Sequence, residues 1–549
     1  MSRDGFDADH ATADESTADD STADDATAED TRADGSDPDD LDRDDDAGWE
    51  DAAGGEERED DDESSTRTAR SRRDSGSRSR TGRTARTRTP ASSVARAVQT
   101  DLAAWPAAAL EGVRSLLRRP LASFHLILTI AFLLTAFGLV MVLSASSVEG
   151  YSKDGSAYGL FATQLTFALM GLVVFYLALR VPVRLIRRAA APMIVITTIL
   201  LALVLVPGIG TLSQGARRWF VISGLSVQPS ELVKVALCVW GAHLLASRRR
   251  DNASLKELLI PLLPVAFLIC VLIILEPNLS TTITIAIIVG ALLWFAGLPV
   301  RVFLTFAAAG VAIAVVLALV EGYRSQRVMS FLGNINDPQG AGYQARQATY
   351  ALANGGVFGV GLGQSSAKWN YLPNAHNDFI FAIIGEELGL IGGLLVVILF
   401  AILAFVGLRI AHRSTDPFLR LMTATITVLI TAQAFINIAY VVGLLPVTGI
   451  QLPLLSAGGT STLTILAMLG LMANAARHEP EAVAALATGH PGRFSRLFRL
   501  PTPVPYSKTR AEQLRDRLDG RRPGGARRGG AAAAPTSRRG RRPAPAAPA

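Results

Sequence analysis

The sequence predicts an all-α polytopic membrane protein of about ten helices, with a large loop between the seventh and eighth and disordered tails at both ends. Two observations predict it. Hydrophobic residues make up 49% of the 549 and charged ones only 18%, and the charges crowd into the two ends and a few short loops. Between Leu121 and about Ala476, apolar runs of roughly 18 to 25 residues recur with short polar breaks, each long enough to cross a hydrocarbon core of about 30 Å as a helix.

The spans are expected near 122–146, 160–180, 191–209, 230–247, 257–275, 279–297, 300–321, 379–409, 417–443 and 460–476. Arg180, Arg184, Arg187 and Arg188 follow the second, Arg248, Arg249 and Arg250 the fourth, and Arg409, His412 and Arg413 the eighth. Lys and Arg accumulate on the cytoplasmic side, so an even number of spans leaves both tails in the cytoplasm. The first apolar run follows about 120 polar residues and is long enough to remain as an anchor, so no cleavable signal is expected. Cys238 and Cys270 lie inside apolar runs, as packing residues rather than a disulfide framework.

Residues 1–120 form the expected N-terminal tail. Its first 64 residues are Asp, Glu, Ala, Thr and Ser with almost no large apolar side chains, too few to offset the entropy of ordering. Residues 65–90 switch to Arg, Ser and Thr, a composition suited to anionic headgroups or to the acidic block itself. Nucleic acid is excluded as a partner, because aromatic interleaving and a reading module are absent. The membrane domain spans 121–478, and 479–549 form a second cytoplasmic tail rich in Arg, Pro and Ala.

Alternation of the spans leaves two long polar segments, 209–229 and 322–378, on the outer face. Loops of such length carry function more often than they merely connect. In the first, Arg217 and Arg218 precede Trp219, a group that suits phosphate oxygens or simple interfacial anchoring. Gln228 and Pro229 then precede a helix that Ser230 can cap, with Glu231 and Lys234 spaced to pair or to line a polar cavity one turn inside. The second segment is rich in glycine and aromatic residues, as an ordered, partly re-entrant loop would be. It ends in "YLPNAHNDFIFAIIGEELG", which places His376 and Asp378 at a helix mouth and Glu386 and Glu387 two turns deeper. "LEPNLSTT" puts Glu276 at another helix end, as a capped turn or a substrate contact. "GLLPVTGIQLPLLSAGGTST" breaks the chain before the last span at Pro446, Pro453, Gly458 and Gly459, and broken backbone at membrane depth is tolerated where it lines a cavity.

Together "GARRWF…QPSE..K" at 215–234, "GYQ" at 342–344, "GVGLGQS" at 359–365, the 371–389 motif and "GLLPVTGIQLP…GGTS" at 443–461 resemble the SEDS family, the shape, elongation, division and sporulation proteins. The resemblance implies a peptidoglycan glycosyltransferase that polymerises lipid II at the outer face of the cytoplasmic membrane beside a class B penicillin-binding protein. Within the family the chain is similar to the division type of actinobacteria, which implies enrichment at the septum and contacts of the tails with other division proteins. The elongation type, and a lipid II flippase, are the alternatives. Asp378 carries over as the essential carboxylate, with Arg217, Arg218 and Trp219 and with Gln228, Ser230, Glu231 and Lys234 around the cavity. The chain departs from the family pattern at Glu276-Pro277-Asn278, where Gln-Pro-Asp is common. That removes an aspartate role there or passes it to Glu276. Asn374, Asn377 and Ala457 replace a common Glu, Thr and Tyr.

Extending a glycan on a lipid pyrophosphate needs a base for the attacking hydroxyl and positive charge for the departing phosphates. Asp378, partly desolvated by Phe379, Ile380 and Phe381, is the expected base. Arg217, Arg218, Lys234 and Lys368 are candidates for the phosphates, His376 for either role, and Glu386 and Glu387 for support. No metal-ligand spacing is present, so a divalent cation, Mg or Mn, is left open with no assigned site.

Overall fold

The computed structural model describes residues 119–507 except 214, 223, 248–258, 321–327, 332, 334–340, 370–371, 374 and 489–497, together with Glu111, Ser115 and Leu117. The acidic and Arg-rich parts of the N-terminal tail, the Arg248–Arg250 loop, Asn374 and the tail beyond residue 507 lie outside the described residues.

Helices occupy all ten expected positions: α1 (Ala122–Asp154), α2 (Gly159–Arg180), α3 (Val183–Leu203), α4 (Pro229–Ala246), α5 (Leu262–Leu275), α6 (Leu279–Phe295), α7 (Val300–Val320), α9 (Ile380–Arg413), α10 (Pro417–Val441) and α11 (Gly459–Arg477). Two more, α8 (Ala341–Gly355) and α12 (Pro480–Thr488), lie in the long loop and beyond the last span. Seven of these helices, α1, α2, α3, α7, α9, α10 and α11, are long and apolar enough to cross a membrane. The apolar α5 and α6 are shorter, at 14 and 17 residues, and α4 carries Glu231 and Lys234 near its start.

The third helix departs most from expectation. It begins at Val183, directly after the extended Pro182, so Arg184, Arg187 and Arg188 ride on its first turns rather than in a loop. Long Arg side chains can reach past the membrane edge from such a position. Cys238 is buried, Cys270 is partly buried, and both are free thiols. At the centre, 67% of the most apolar stretch of α10 and 83% of that of α11 is buried, against 0% for α7 at the periphery.

Antiparallel alternation sets the first residues of α2, α4, α6, α9 and α11 at one end of the bundle. The polar 209–229 segment at that end folds as a three-stranded antiparallel meander, β1 (Thr211–Ser213), β2 (Ala216–Ile222) and β3 (Leu225–Val227), a small sheet the helical periodicity did not disclose. Gly215 and Gly224, at φ 76° and 81°, make its turns.

The 356–361 segment after α8 is woven into a break in α9. Gly389 leaves helical geometry at φ 67° and ψ −164°, and the amide and carbonyl groups freed there pair with the loop. The Val360 and Gly361 amides donate to the Glu386 and Glu387 carbonyls, both at 3.0 Å, and the Leu390 amide donates to the Gly356 carbonyl at 2.9 Å. The backbones approach so closely that a Cβ on Gly359 would lie 2.2 Å from the Glu387 carbonyl oxygen. Gly359→Ala and Gly389→Ala, each at positive φ and each without space, should therefore lower the unfolding temperature sharply, by more than about 2 kcal/mol in stability. Gly310→Ala, on exposed α7 with no atom near its Cβ, should be neutral or slightly stabilising. Thermal unfolding of the three variants in detergent checks the contrast.

Candidate active site

A cavity of about 330 Å³ lies where the helix starts converge. Asp378, half-buried, stands in its wall one residue before the Phe379 that caps α9. Gln228, Glu231 and Lys234 enter from the start of α4, Asn278, Ser280, Thr281 and Thr284 from the start of α6, and Ser461 from the start of α11. Arg218 and Trp219 come from β2, and Gly449, Ile450 and Gln451 from the broken segment before α11. Four helix N-termini therefore face one space. Their dipoles favour a negatively charged ligand.

Each wall is fixed by side chains that satisfy backbone groups of the neighbouring break. The Arg218 guanidinium donates to the carbonyls of Glu276 and Pro277, both at 2.8 Å, and so ties the sheet to the turn before α6. Asn278 caps α6 by accepting from the Thr281 amide, and the Ser280 hydroxyl donates to the Thr448 carbonyl. The Thr460 hydroxyl accepts from the Gln228 amide and donates to the Ser226 carbonyl. On α10, Asn437 donates to the Asp378 and Ile450 carbonyls, at 3.0 and 2.7 Å, and the Tyr440 hydroxyl, which accepts from Asn437, donates its one proton to the Asp378 carbonyl at 2.6 Å with the Ile450 carbonyl beside it at 3.0 Å. The Gln451 amide donates to the Asn377 side chain at 2.6 Å, and the Ala457 amide to the His376 carbonyl at 2.9 Å. The loop bearing Asp378 is held through its main chain, and Asp378 lines the cavity.

Of the residues singled out from sequence, Arg218, Trp219, Gln228, Glu231, Lys234 and Asp378 are brought together around the cavity. Lys234 and Glu231 pair at 2.7 Å on one face of α4. The others are placed elsewhere. Arg217 is absent from the lining and pairs across the sheet with Leu212 of β1. Ser230 does not cap α4: Pro229 takes the first helical position, so Ser230 lies inside the helix and is fully buried. Lys368 is buried 3.7 Å from Glu387 and donates to the Gly363 carbonyl, so it is committed to the long loop. His376 faces Glu149 at 2.9 Å rather than Asp378.

Glu386 and Glu387 are fully buried and serve that same loop. Glu386 accepts from the side chains of Asn354, Ser365 and Ser366 and from the amides of Ser366 and Ala367. Glu387 accepts from the Ser144 hydroxyl at 2.6 and 2.7 Å. Glu276 is fully buried and absent from the lining, whereas Asn278, where an aspartate is common, faces the cavity. Gly458 and Gly459 admit close neighbours: a Cβ on Gly459 would lie 2.3 Å from the Phe167 ring of α2. Among the described residues no three His, Cys, Asp or Glu side chains gather as metal ligands would.

A family model described as "Cell cycle protein", FtsW/RodA/SpoVE, matches residues 124–481, from the start of α1 into α12. The chain belongs to the FtsW/RodA/SpoVE family. It is 59% identical over 401 residues to the "Probable peptidoglycan glycosyltransferase FtsW" of Mycobacterium tuberculosis, covering 73% of this chain and 76% of that one. It is 37% identical to the "Stage V sporulation protein E" of Bacillus subtilis over 64% of this chain and 96% of that one. A solved structure described as "Structural coordination of polymerization and crosslinking by a peptidoglycan synthase complex" matches with a TM-score of 0.54 and 27% identity, covering 64% of this chain and 97% of that one.

This FtsW/RodA/SpoVE family member is thus a multi-pass membrane protein, and several of its polar motifs meet at one end of the bundle. Sequence reasoning missed Asn437 and Tyr440, because they lie inside the long apolar run of α10 and their partners are 59 to 62 residues away in the chain. The available signal was their polarity within a span, where unpaired donors are costly. Tyr440→Phe removes the hydroxyl proton shared between the Asp378 and Ile450 carbonyls and should cost about 1–3 kcal/mol. The loss is expected as a lower unfolding temperature together with slower turnover, measured on the same purified sample.

Proposed function

We infer that the protein is a peptidoglycan glycosyltransferase that polymerises lipid II into glycan strands during cell division. The observation that carries this reading is that Asp378, Arg218 and four helix N-termini line one cavity. The reaction requires a base and an anion-stabilising field within reach of each other, and this cavity supplies both.

In the proposed reaction, a sugar hydroxyl of one lipid-linked chain attacks the anomeric carbon of another. The new glycosidic bond forms as the bond to the pyrophosphate oxygen breaks, the hydroxyl proton passes to the Asp378 carboxylate, and the bond electrons leave with the lipid pyrophosphate. Arg218 and the amides opening α4, α6 and α11 stabilise the charge that builds on the leaving phosphates. Lys234 contributes as one half of its pair with Glu231, which fixes its ammonium in the cavity wall. Trp219 at the mouth offers an indole to the interfacial part of the substrate. Direct attack with one base inverts the anomeric carbon, and the pairing of Glu231 with Lys234 withholds the second cavity carboxylate from a nucleophilic role.

The cavity opens at one end of the bundle rather than at its middle, which favours an enzyme acting on a membrane-surface substrate over a flippase with a midplane site. In this reading that end faces outward, with both termini cytoplasmic, as the arginines at the other end argue. The partner is a class B penicillin-binding protein that crosslinks the nascent strand, in keeping with the peptidoglycan synthase complex whose fold this chain shares. The division role follows the similarity to FtsW proteins and implies enrichment at the septum.

Purified full-length protein with its transpeptidase partner and labelled lipid II tests the proposal. Asp378→Asn should lower polymer formation by about 10²–10⁴-fold. The variant should stay folded, because the backbone carbonyl of residue 378 keeps the bonds from Asn437 and Tyr440 that hold the loop. Polymer formed by the variant at the normal rate sinks the role of Asp378 as base. Lipid translocation without polymer, in the unaltered protein, sinks the enzyme.

A further inference from the structure

A second cavity, of about 520 Å³, lies at the other end of the bundle, where α2 and α11 finish and α3 and α10 begin. The C-terminal segment Pro501–Ser507 closes one side of it. That segment is an ordered strap: the Tyr176 hydroxyl donates to the Phe498 carbonyl at 3.1 Å, Leu500 is buried, and Arg477 donates to the Pro501 carbonyl at 2.7 Å. Asn474 donates to the Ala178 and Val181 carbonyls, at 2.9 and 2.7 Å, and fixes the α2–α3 turn against α11.

The charge around this pocket is one-sided. Arg180, Arg184, Arg187, Arg188 and Arg477 line it, and Asp416 is the carboxylate among the lining residues. Asp416 is already taken by Arg187, in a two-pronged contact at 2.5 and 2.6 Å, and by capping the Phe418 amide at 2.9 Å. Arg187 lies over the Phe418 ring at 5.2 Å, which makes it a rigid part of the wall. Arg184 and Arg188 are exposed at its rim. Beside the polar Asn474, His478, Thr502, Tyr506 and Ser507, the wall presents apolar surface from Leu179, Val181, Pro182, Pro503 and Val504. A free anion gains nothing from that surface, but the glycerol and first acyl carbons of a lipid do.

We propose that this pocket binds the phosphate-bearing headgroup of an anionic phospholipid, with Arg184 and Arg188 engaging the phosphate beside the fixed Arg187 and the proline-rich strap covering the glycerol. Its position at the ends of four helices sets it at headgroup depth. Planar guanidinium groups match phosphate oxygens in pairs, and each well-placed cation near a membrane surface adds measurably to anionic-lipid affinity. The pocket is separate from the Asp378 cavity and needs no step of glycan synthesis.

The test uses full-length protein in detergent, titrated with phosphatidylglycerol or phosphatidylcholine, with bound lipid counted by native mass spectrometry. Phosphatidylglycerol should be retained in preference to phosphatidylcholine, and the double variant Arg184→Gln, Arg188→Gln should bind it roughly 25-fold more weakly. Both side chains are exposed, so the unfolding temperature of the lipid-free variant should match that of the unaltered protein. Arg301→Gln, an exposed arginine at the start of α7 outside the pocket, should bind the lipid normally. Equal retention of the two lipids, undiminished binding by the double variant, or an equal loss in Arg301→Gln overturns the proposal. Displacement of the lipid by millimolar inorganic phosphate overturns the lipid assignment and leaves a site for the free anion.

Discussion

Within a hydrocarbon layer a backbone amide or carbonyl that leaves helical pairing must find its partner inside the protein. The active end of this molecule is built from that constraint. The chain breaks at the Glu276–Asn278 turn, in the 443–458 segment, at Gly389 and ahead of α9, and each break is closed by a buried side chain or a neighbouring backbone. Arg218, Asn437, Tyr440, Thr460 and Glu386 all serve in this way. The breaks open the cavity, and the polar side chains that answer them make it rigid.

Rigidity has a chemical use. A base and an anion site help catalysis only when they are already placed before charge develops, because reorganising them would cost what they are meant to supply. Here the loop of Asp378 is held from α10 and from the segment before α11 through main-chain carbonyls at 376 and 378 and the side chain at 377. The helix starts that surround it are locked to one another by Thr460 and Ser280. The same logic explains the two deep carboxylates. Glu386 gathers amides and hydroxyls of the long loop, and Glu387 gathers Ser144 of α1, so both shape the surroundings of the cavity without entering it.

The two ends of the bundle differ in how they treat charge. At the Asp378 end, Lys234 is paired with Glu231, Arg218 is bonded to backbone, and the field comes largely from helix starts. At the other end arginines outnumber the carboxylates that could neutralise them around a pocket that also presents apolar surface. One end is thus suited to hold a reacting substrate in a fixed field. The other is suited to a membrane surface of opposite sign.

What the sequence determined by itself is the set of spans, their alternation, and the motif positions at helix ends, because apolar run length and the cost of a charge in lipid are local properties of the chain. Asp378, Glu231 and Lys234 were legible for that reason, as polar residues where a span begins. Tertiary structure alone decided which of the candidates meet. Arg217 and Arg218 are neighbours in sequence, yet only Arg218 reaches the cavity, where it is tied to the Glu276 and Pro277 carbonyls of the turn before α6. Lys368 and His376 were drawn to Glu387 and Glu149, partners more than a dozen residues distant. Asn437 and Tyr440 gained their role only when α10 packed beside the Asp378 loop. Hydrophobic periodicity carries no term for such long-range pairings, which are fixed when the helices close against one another.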